Sequence, residues 1–452
     1  MRGEAGSGPG AAWAGAVLAL AAALAIPAAK AQPAAEAGAA PANRLLAKLG
    51  ESGGLGSGFG VNIHFTAGRR QDLERIRALG MRVVRTDLLW ATIETRLEVF
   101  DWGRYDALLA DAEATGLTAL LILAYSNPLY AAREHGRPDT TSMAYAAPMA
   151  GVARDAYMAF VGTAAARYRG RVIWEVWNEP DLNFGNPVNR PAYIDVAQQA
   201  CGRIRAADPT AAVLGPAAAS LGSPFLRDFA VADRAGCFDG LSVHPYRDDA
   251  PEDVLADWAR LHGLAARHRP AGPGRVPLLP VAGEWGYASV GGAGAEQRQA
   301  DYALRIPLLS LVAGIPMTIL YDWQNDGPDP DDREANFGLV DFHGAPKPAH
   351  AALAGLQGEL GGLRYLGRVP TRRPADFILA FGRAQAAEKL VVWTTSSIPV
   401  ERVAIEDGAC LEAPPAAIVP NGAGCRPAGL AGLSSRLPRL SGGPVIVALP
   451  PR

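Results

Sequence analysis

The sequence has little excess charge of either sign. Charged residues make up 19% of the 452 residues, and 43 Lys and Arg against 45 Asp and Glu give a formal net charge of −2. A protein that binds nucleic acid through its phosphates needs a strong positive potential. Nucleic acid is therefore not expected as a partner. Apolar residues make up 49% of the chain, which is typical of a globular protein.

Cysteine is scarce, and its spacing does not suggest metal binding. The four cysteines are Cys201, Cys237, Cys410 and Cys425. They form no Cys-x-x-Cys motif and no cysteine and histidine cluster with the spacing of a metal site, so neither a metal nor a cofactor is expected. Four cysteines allow three pairings. Proximity along the chain favours Cys201 with Cys237 and Cys410 with Cys425, and free buried thiols are the alternative.

Long apolar runs are missing beyond the N-terminus. No segment after residue 31 reaches about 18 uninterrupted apolar residues, the length that suggests a membrane span. Residues 1–31 have the pattern of a signal peptide, with an apolar segment at 11–26 and Ala29-Lys30-Ala31 as the cleavage site. An uncleaved signal anchor, and with it membrane association, is the alternative. Residues 32–52 predict a linker, and the protein is expected in the periplasm or outside the cell.

From residue 59 onward, short aliphatic runs alternate with amphipathic segments, which is typical of βα repeats around a parallel sheet. The eight predicted strands are 59–64, 82–86, 119–124, 172–177, 212–215, 240–244, 278–283 and 317–321. Eight repeats predict an α/β fold, a (β/α)8 TIM barrel over residues 53–362. The pattern shows no long heptad repeat, so the oligomeric state stays open.

The last part of the chain changes character. Strand-like runs at 377–381, 390–394, 400–405 and 444–449 are separated by Pro and Gly. Residues 363–452 are therefore predicted to form a small C-terminal β domain.

Two carboxylates stand at the ends of predicted barrel strands. Glu179 lies in Trp177-Asn178-Glu179-Pro180, and Glu284 lies in Gly283-Glu284-Trp285. The chemistry of a TIM barrel gathers at the carboxyl ends of its strands. Cleavage of a glycosidic bond needs one carboxyl group to protonate the leaving oxygen and another to attack the anomeric carbon or activate water. Glu179 and Glu284 are therefore the predicted catalytic residues.

Further residues at or just after predicted strand ends are expected to bind the substrate. Asn178 would donate to a sugar 2-hydroxyl, and Arg85 would hold Glu284 ionised, although an interior ion pair is the alternative for Arg85. Trp323 would offer an aromatic face to a sugar ring. The full predicted set is Arg85, Asn127, Asn178, His244, Tyr246 and Trp323.

Residues 58–362 resemble the clan A glycoside hydrolases, and most closely family 39. The resemblance rests on five motifs: Arg82-Val83-Val84-Arg85-Thr86-Asp87, Trp174-Glu175-Val176-Trp177-Asn178-Glu179-Pro180, Ser242-Val243-His244-Pro245-Tyr246, Gly283-Glu284-Trp285 and Leu320-Tyr321-Asp322-Trp323. It implies a retaining mechanism with Glu179 as acid/base and Glu284 as nucleophile.

Within that family, the chain is similar to the periplasmic endoglycosidases that are encoded with exopolysaccharide systems such as Psl. This similarity implies an endo-acting hydrolase of an exported bacterial polysaccharide. The family also contains exo-acting enzymes such as β-xylosidases, so an exo-acting β-glycosidase is one alternative. A non-catalytic protein that binds carbohydrate or assists polysaccharide assembly is another.

Overall fold

The computed structural model describes residues 43–50, 55–130, 148–182, 188–233, 235–269, 276–383, 386–397, 410–412, 426–427, 437 and 442–449. The predicted signal peptide, Cys425 and the predicted strand at 400–405 lie outside the described residues.

Eight parallel strands close into a barrel in sequence order, with β1 paired to both β2 and β8. The strands β1 to β8 are Gly58–Asn62, Val83–Leu89, Thr118–Ala124, Ile173–Val176, Ala212–Ala218, Gly240–Val243, Leu279–Trp285 and Met317–Leu320. Strands enclosed by helices are buried on both faces, which explains why they read as nearly continuous apolar runs. The predicted TIM barrel is confirmed.

The helices pack around the barrel, and most of them follow a barrel strand in the chain. In chain order, the described α-helices α1 to α10 are Arg44–Leu49, Arg70–Ala78, Trp90–Ile93, Gly103–Thr115, Gly151–Arg167, Arg190–Ala207, Pro224–Ala232, Val254–His268, Ala295–Ala313 and Pro348–Leu360. Among these helices, none combines the length and the apolar composition that crossing a membrane requires.

Part of the predicted linker is a helix fixed to the barrel. Asn43 caps α1, because its side-chain oxygen accepts from the backbone of Leu45 and Leu46. Its amide nitrogen donates to the backbone oxygens of Asp239 at 2.9 Å and Pro277 at 2.8 Å. These bonds hold the segment at 43–49 against the residues that come just before β6 and just before β7.

A four-stranded antiparallel sheet in the order β14-β11-β10-β9 follows the barrel, which confirms the predicted C-terminal β domain. Its strands are Arg364–Arg368 (β9), Asp376–Arg383 (β10), Ala386–Thr394 (β11) and Val445–Ala448 (β14), and Cys410–Leu411 (β12) pairs with Arg426–Pro427 (β13). Strand β9 was not predicted, because Arg-Tyr-Leu-Gly-Arg lacks an apolar alternation.

One face of this sheet completes the core of the barrel. Phe377, Leu379 and Phe381 belong to the large core that includes the barrel, whereas Ile378 and Ala380 belong to a separate small core. This division follows the two-residue period of a strand. The indole of Trp393 also donates to Oε1 of the barrel residue Glu252 at 2.7 Å.

A disulfide joins Cys201 in α6 to Cys237 just before β6. This pairing is the one that chain proximity favoured. The pairing of Cys410 with Cys425 stays a prediction, because Cys425 lies outside the described residues.

The disulfide is expected to stabilise the barrel by closing a loop in the unfolded chain. It joins positions separated by 36 residues, and loop closure of this size corresponds to about 3 to 4 kcal/mol. The double variant Cys201→Ser and Cys237→Ser should lose about this much free energy of unfolding, measured by chemical denaturation against the oxidised parent. Equal stability of the two proteins would contradict the prediction.

Candidate active site

A cavity of about 700 Å³ opens at the carboxyl ends of the barrel strands. Arg85, Asn178, Glu179, Tyr246 and Glu284 all line it. These residues come from strand β2, from the chain after β4 and β6, and from β7. The structure therefore brings five of the eight predicted site residues to a single cavity.

Arg85 lies at the centre of the site and pairs with two carboxylates. Its Nε donates to Oε2 of Glu175 at 2.7 Å, and its Nη1 donates to Oε2 of Glu284 at 2.7 Å. The side chain of Arg85 is 2% exposed and that of Glu175 is fully buried. Burial opposes the charge of the guanidinium, but Glu175 and Glu284 outweigh it and raise the pKa of Arg85 above its ordinary value.

The same guanidinium orients two amide side chains. Nη1 of Arg85 donates to Oδ1 of Asn62 at 3.1 Å, and Nη2 donates to Oδ1 of Asn178 at 2.8 Å. Because Arg85 occupies the amide oxygen of Asn178, the amide nitrogen of this residue is left to donate to a ligand. This geometry suits the predicted contact with a sugar 2-hydroxyl.

Each carboxylate oxygen of Glu284 accepts a hydrogen bond. Tyr246 donates its hydroxyl to Oε1 at 2.6 Å, while Arg85 occupies Oε2. Burial opposes ionisation, yet His244 and Arg85 outweigh it, so the pKa of Glu284 is held below its ordinary value. Burial and the neighbouring Glu284 raise the pKa of Tyr246 well above its usual range. Tyr246 thus remains a hydroxyl donor, and Glu284 remains ionised.

Glu179 has a different environment. Its Oε1 lies 2.8 Å from Nδ1 of His244, and its side chain is 14% exposed. Burial opposes protonation of His244, but Glu284 and Glu179 raise the pKa of its imidazole above the ordinary value. Nε2 of His244 lies 3.5 Å from Nη2 of Arg85, which is a donor. The arrangement therefore favours a proton on Nδ1 that is donated to Glu179.

The backbone around Glu179 adopts conformations that side-chain-bearing residues rarely occupy. Trp177 has φ of 69° and Glu179 has φ of 43°. Such torsions cost energy outside glycine and persist where the surrounding structure imposes them. The amide of Glu179 donates to the carbonyl of Ala217 at 3.0 Å, so the neighbouring strand β5 fixes the turn. This turn directs Glu179 into the cavity.

The two predicted catalytic groups lie close together. An oxygen of Glu179, Nδ1 of His244 and an oxygen of Glu284 are all within 4.8 Å of one another. The two carboxylates therefore face the same small volume, one from the turn after β4 and the other from β7.

Gly283 has to lack a side chain for the site to form. A Cβ at this position would lie 2.2 Å from Oγ of Ser242 and 2.8 Å from Oε1 of Glu175. Ser242 donates its hydroxyl to that same oxygen of Glu175. The glycine thus leaves room for the hydrogen bond that completes the buried pair of Glu175 and Arg85.

The structure places Trp323 away from the cavity wall, which corrects its predicted role as an aromatic platform. Its side chain is buried, its indole donates to Oδ1 of Asp72 at 3.2 Å, and the guanidinium of Arg75 lies 5.1 Å from its ring. Trp323 lies beyond the end of strand β8 at Leu320, where the chain has left the barrel. Its side chain packs on helix α2, which carries Asp72 and Arg75. Tyr321 and Phe337 line the cavity instead.

Asn127 also lies outside the described lining of the cavity. Its amide nitrogen donates to the carbonyl of Glu94 at 2.8 Å, and its oxygen accepts from the backbone of Leu129 at 2.9 Å. Asn127 thus stabilises the loop after β3. His244, which is fully buried, contacts Glu179 from behind the cavity surface.

Sequence reasoning missed several residues of the site. Asn62, His64 and Asp87 line the cavity, and Glu175 lies beneath it. The sequence offered a signal for Asp87. This residue follows Arg85 by two positions on the same strand, so the two side chains point to the same face of the sheet. Burial raises the pKa of Asp87 to about 6.

Among the residues that the structure describes, two groups have donor atoms close enough for a metal, namely Glu179, His244 and Glu284, and His64, Asp322 and Asp326. Nδ1 of His64 lies 2.6 Å from Oδ1 of Asp326, and Nε2 lies 2.9 Å from the amide nitrogen of Asn62. Because Asn62 donates to Nε2, the imidazole carries its proton on Nδ1. A metal on Nδ1 would require the opposite tautomer, so the second group does not fit one.

Comparison with models of protein families and with curated protein sequences finds no match. Comparison with solved structures finds similar folds. A family 39 glycoside hydrolase from Bacteroides cellulosilyticus WH2 superposes with a TM-score of 0.66 at 23% identity, over 76% of this chain and 72% of that one.

Two further structures agree in fold. A GH39 enzyme from Xanthomonas axonopodis pv. citri has a TM-score of 0.59 and 16% identity, over 79% of this chain and 78% of that one. A GH39 β-xylosidase from Caulobacter crescentus has a TM-score of 0.55 and 17% identity, over 79% and 85%. This chain shares their fold.

Removal of Arg85 should leave buried carboxylates without a cation. Arg85→Met is expected to lower the free energy of unfolding by about 3 to 5 kcal/mol, because an uncompensated buried charge is strongly destabilising. Adding Glu175→Gln should restore part of the loss, since it removes the most buried of these charges. Chemical denaturation of both single variants and the double variant tests this coupling. Additive effects of the two substitutions would contradict it.

Proposed function

We propose that this chain is a retaining glycoside hydrolase in which Glu179 is the acid/base and Glu284 the nucleophile. The observation that carries the proposal is the short distance between the two groups, whose nearest oxygens lie within 4.8 Å. Retaining enzymes place the two carboxyl groups about 5 to 5.5 Å apart, whereas inverting enzymes need about 6.5 to 9.5 Å to admit a water.

The different surroundings of the two groups support these roles. Glu284 accepts from Arg85 and Tyr246, which keep it ionised for attack on the anomeric carbon. Glu179 contacts His244 through one oxygen, and the residue lines the cavity. Glu179 is thus placed to transfer a proton to the glycosidic oxygen as the bond from that oxygen to the anomeric carbon breaks.

The first step forms an ester between Glu284 and the anomeric carbon, and the second step hydrolyses it. In the second step Glu179 takes a proton from water, whose oxygen bonds to the anomeric carbon and displaces Glu284. The amide of Asn178 is positioned to donate to the 2-hydroxyl in both steps. Glu284 is then released as a carboxylate, and Arg85 and Tyr246 again donate hydrogen bonds to it.

For the substrate, we propose an exported bacterial polysaccharide that is cleaved internally, outside the cytoplasm. The signal-peptide pattern at residues 1–31 and the motif resemblance support this choice. The second candidate is an exo-acting β-glycosidase, which is favoured by the likeness in fold to a structure named as a β-xylosidase.

Product analysis tests both the activity and its mode. The parent protein, Glu179→Gln and Glu284→Gln would be incubated with bacterial exopolysaccharides and plant β-glycans, and products resolved by mass. Oligosaccharides from one glycan, lost in both variants, are expected. Monosaccharides alone would favour the exo-acting candidate. The exposed Glu74→Gln on α2 is the matched control, and binding without products in the parent would point to the non-catalytic alternative.

Trapping of the intermediate tests retention directly. A 2-deoxy-2-fluoro glycoside with an activated leaving group should form a covalent adduct, because the fluorine slows hydrolysis of the ester. Mass spectrometry of peptides should place the adduct on Glu284. Glu284→Gln should remain unlabelled, and an adduct at any other residue would contradict the assignment.

The acidic limb of the pH profile should depend on Tyr246. Its hydroxyl stabilises the ionised form of Glu284, so Tyr246→Phe should raise the pKa of Glu284. The acidic limb of kcat/KM should therefore move to higher pH, by about 0.5 to 1 unit for the loss of one hydrogen bond. Tyr321→Phe removes another hydroxyl from the cavity and serves as the control. An unmoved limb in Tyr246→Phe would contradict the assignment of Glu284.

A further inference from the structure

A second cavity, of about 410 Å³, lies where helix α9 of the barrel meets the C-terminal sheet. Arg298, Asp301, Tyr302 and Arg305 line it from α9, and Thr395 lines it from the chain after β11. None of the described residues that line it also lines the catalytic cavity. The two cavities are therefore separate sites.

Arg305 lines this cavity and has one donor atom, Nε, without a hydrogen-bond partner among the described residues. Its side chain is 5% exposed, and its Nε is buried without a hydrogen-bond partner. Its Nη1 makes only long contacts of 3.4 Å to the two oxygens of Glu252, one of which also accepts from Trp393. A buried guanidinium whose Nε has no acceptor and whose Nη1 has only distant acceptors points to a ligand with acceptor oxygens.

The start of α9 adds positive potential to the same cavity. The helix is 19 residues long, and its N-cap, Gly294, provides no side-chain cap. Gly294 and Arg298 both line the cavity. A helix N-terminus attracts anions through its free amide groups and its dipole. Together with Arg298 and the incompletely paired Arg305, it favours a ligand that carries a negative charge.

Acceptors in the same cavity disfavour a simple anion. Asp301 accepts from the amide of Gln297 at 2.9 Å and is half-buried. Its charge opposes every anion, but its oxygens can accept from hydroxyl groups, so an anionic ligand that also carries hydroxyl groups gains contacts that phosphate and sulfate lack. The exposed Thr395 can both donate and accept. The wall therefore suits a ligand that combines hydroxyl groups with one anionic group.

We infer that this cavity binds a saccharide that carries a carboxylate, such as a uronic acid residue of a polysaccharide. Arg298 and Arg305 bind the carboxylate, and Asp301 and Thr395 bind ring hydroxyls. The inference goes beyond the proposed hydrolysis, because this site holds glycan without cleaving it. Its ligand and its lining are independent of Glu179 and Glu284.

The test compares three probes on the full chain: methyl β-D-glucuronide, methyl β-D-glucoside and acetate, each at millimolar concentration. Hydrogen exchange measured by mass spectrometry locates binding through peptides that cover residues 294–305. The glucuronide is expected to protect these peptides and the glucoside to bind at least about tenfold more weakly, because it lacks the charge-assisted hydrogen bonds. Equal protection by both sugars would overturn the role of the carboxylate.

Two variants make the test specific to the cavity. Arg298→Gln, on the exposed face of α9, should weaken glucuronide binding about tenfold while hydrolysis at the catalytic cavity is unchanged. Arg305→Lys keeps a cation but removes Nε and should weaken binding as well. Protection by acetate as strong as by glucuronide would mean an adventitious ion only. Loss of hydrolysis in Glu284→Gln with glucuronide protection retained would separate this site from the catalytic one.

Discussion

The cavity of the candidate active site depends on one buried cation. Arg85 contacts two carboxylates and two amide oxygens, and these partners come from β1, β4, β7 and the turn after β4. Burying a charge is costly unless it is paired and hydrogen-bonded. The buried charges of this network therefore depend on Arg85, and the charge of Arg85 depends on them. Glu175, which is fully buried, holds the Nε of Arg85 at 2.7 Å independently of Glu284. Arg85 consequently stays paired during the proposed cycle, even while Glu284 is an uncharged ester.

The barrel fixes the relative positions of the residues in this network. Its strands run in parallel order, so positions at their carboxyl ends converge although they are far apart in the chain. Gly283 allows β7 to approach Ser242 and Glu175 closely. The unusual backbone at Trp177 and Glu179 is held by the hydrogen bond to Ala217. The site is thus built on rigid strands, and the C-terminal sheet supports it by completing the core of the barrel.

The eight strands and the two central glutamates could be predicted from the sequence because strand periodicity and strand ends are local signals. Glu175 could not, since its partner Arg85 lies 90 positions away and only the closed barrel brings them together. Trp323 and Asn127 were misjudged for another reason. Both follow their strands by a few residues, where the chain leaves the barrel and tertiary contacts decide the side-chain direction. Their hydrogen bonds to Asp72 and Glu94 show which contacts these are.

The asymmetry between the two glutamates supports the proposed division of their roles. Both oxygens of Glu284 accept from groups that cannot take a proton from it, because Arg85 is a permanent cation and Tyr246 already carries its proton. Glu179 accepts from His244, whose imidazole can itself gain or lose a proton. The surroundings therefore hold Glu284 ionised, whereas Glu179 contacts a partner that can exchange a proton. In the proposed mechanism, Glu284 is the nucleophile because its surroundings keep it ionised, and Glu179 is the group that gives a proton to the leaving oxygen.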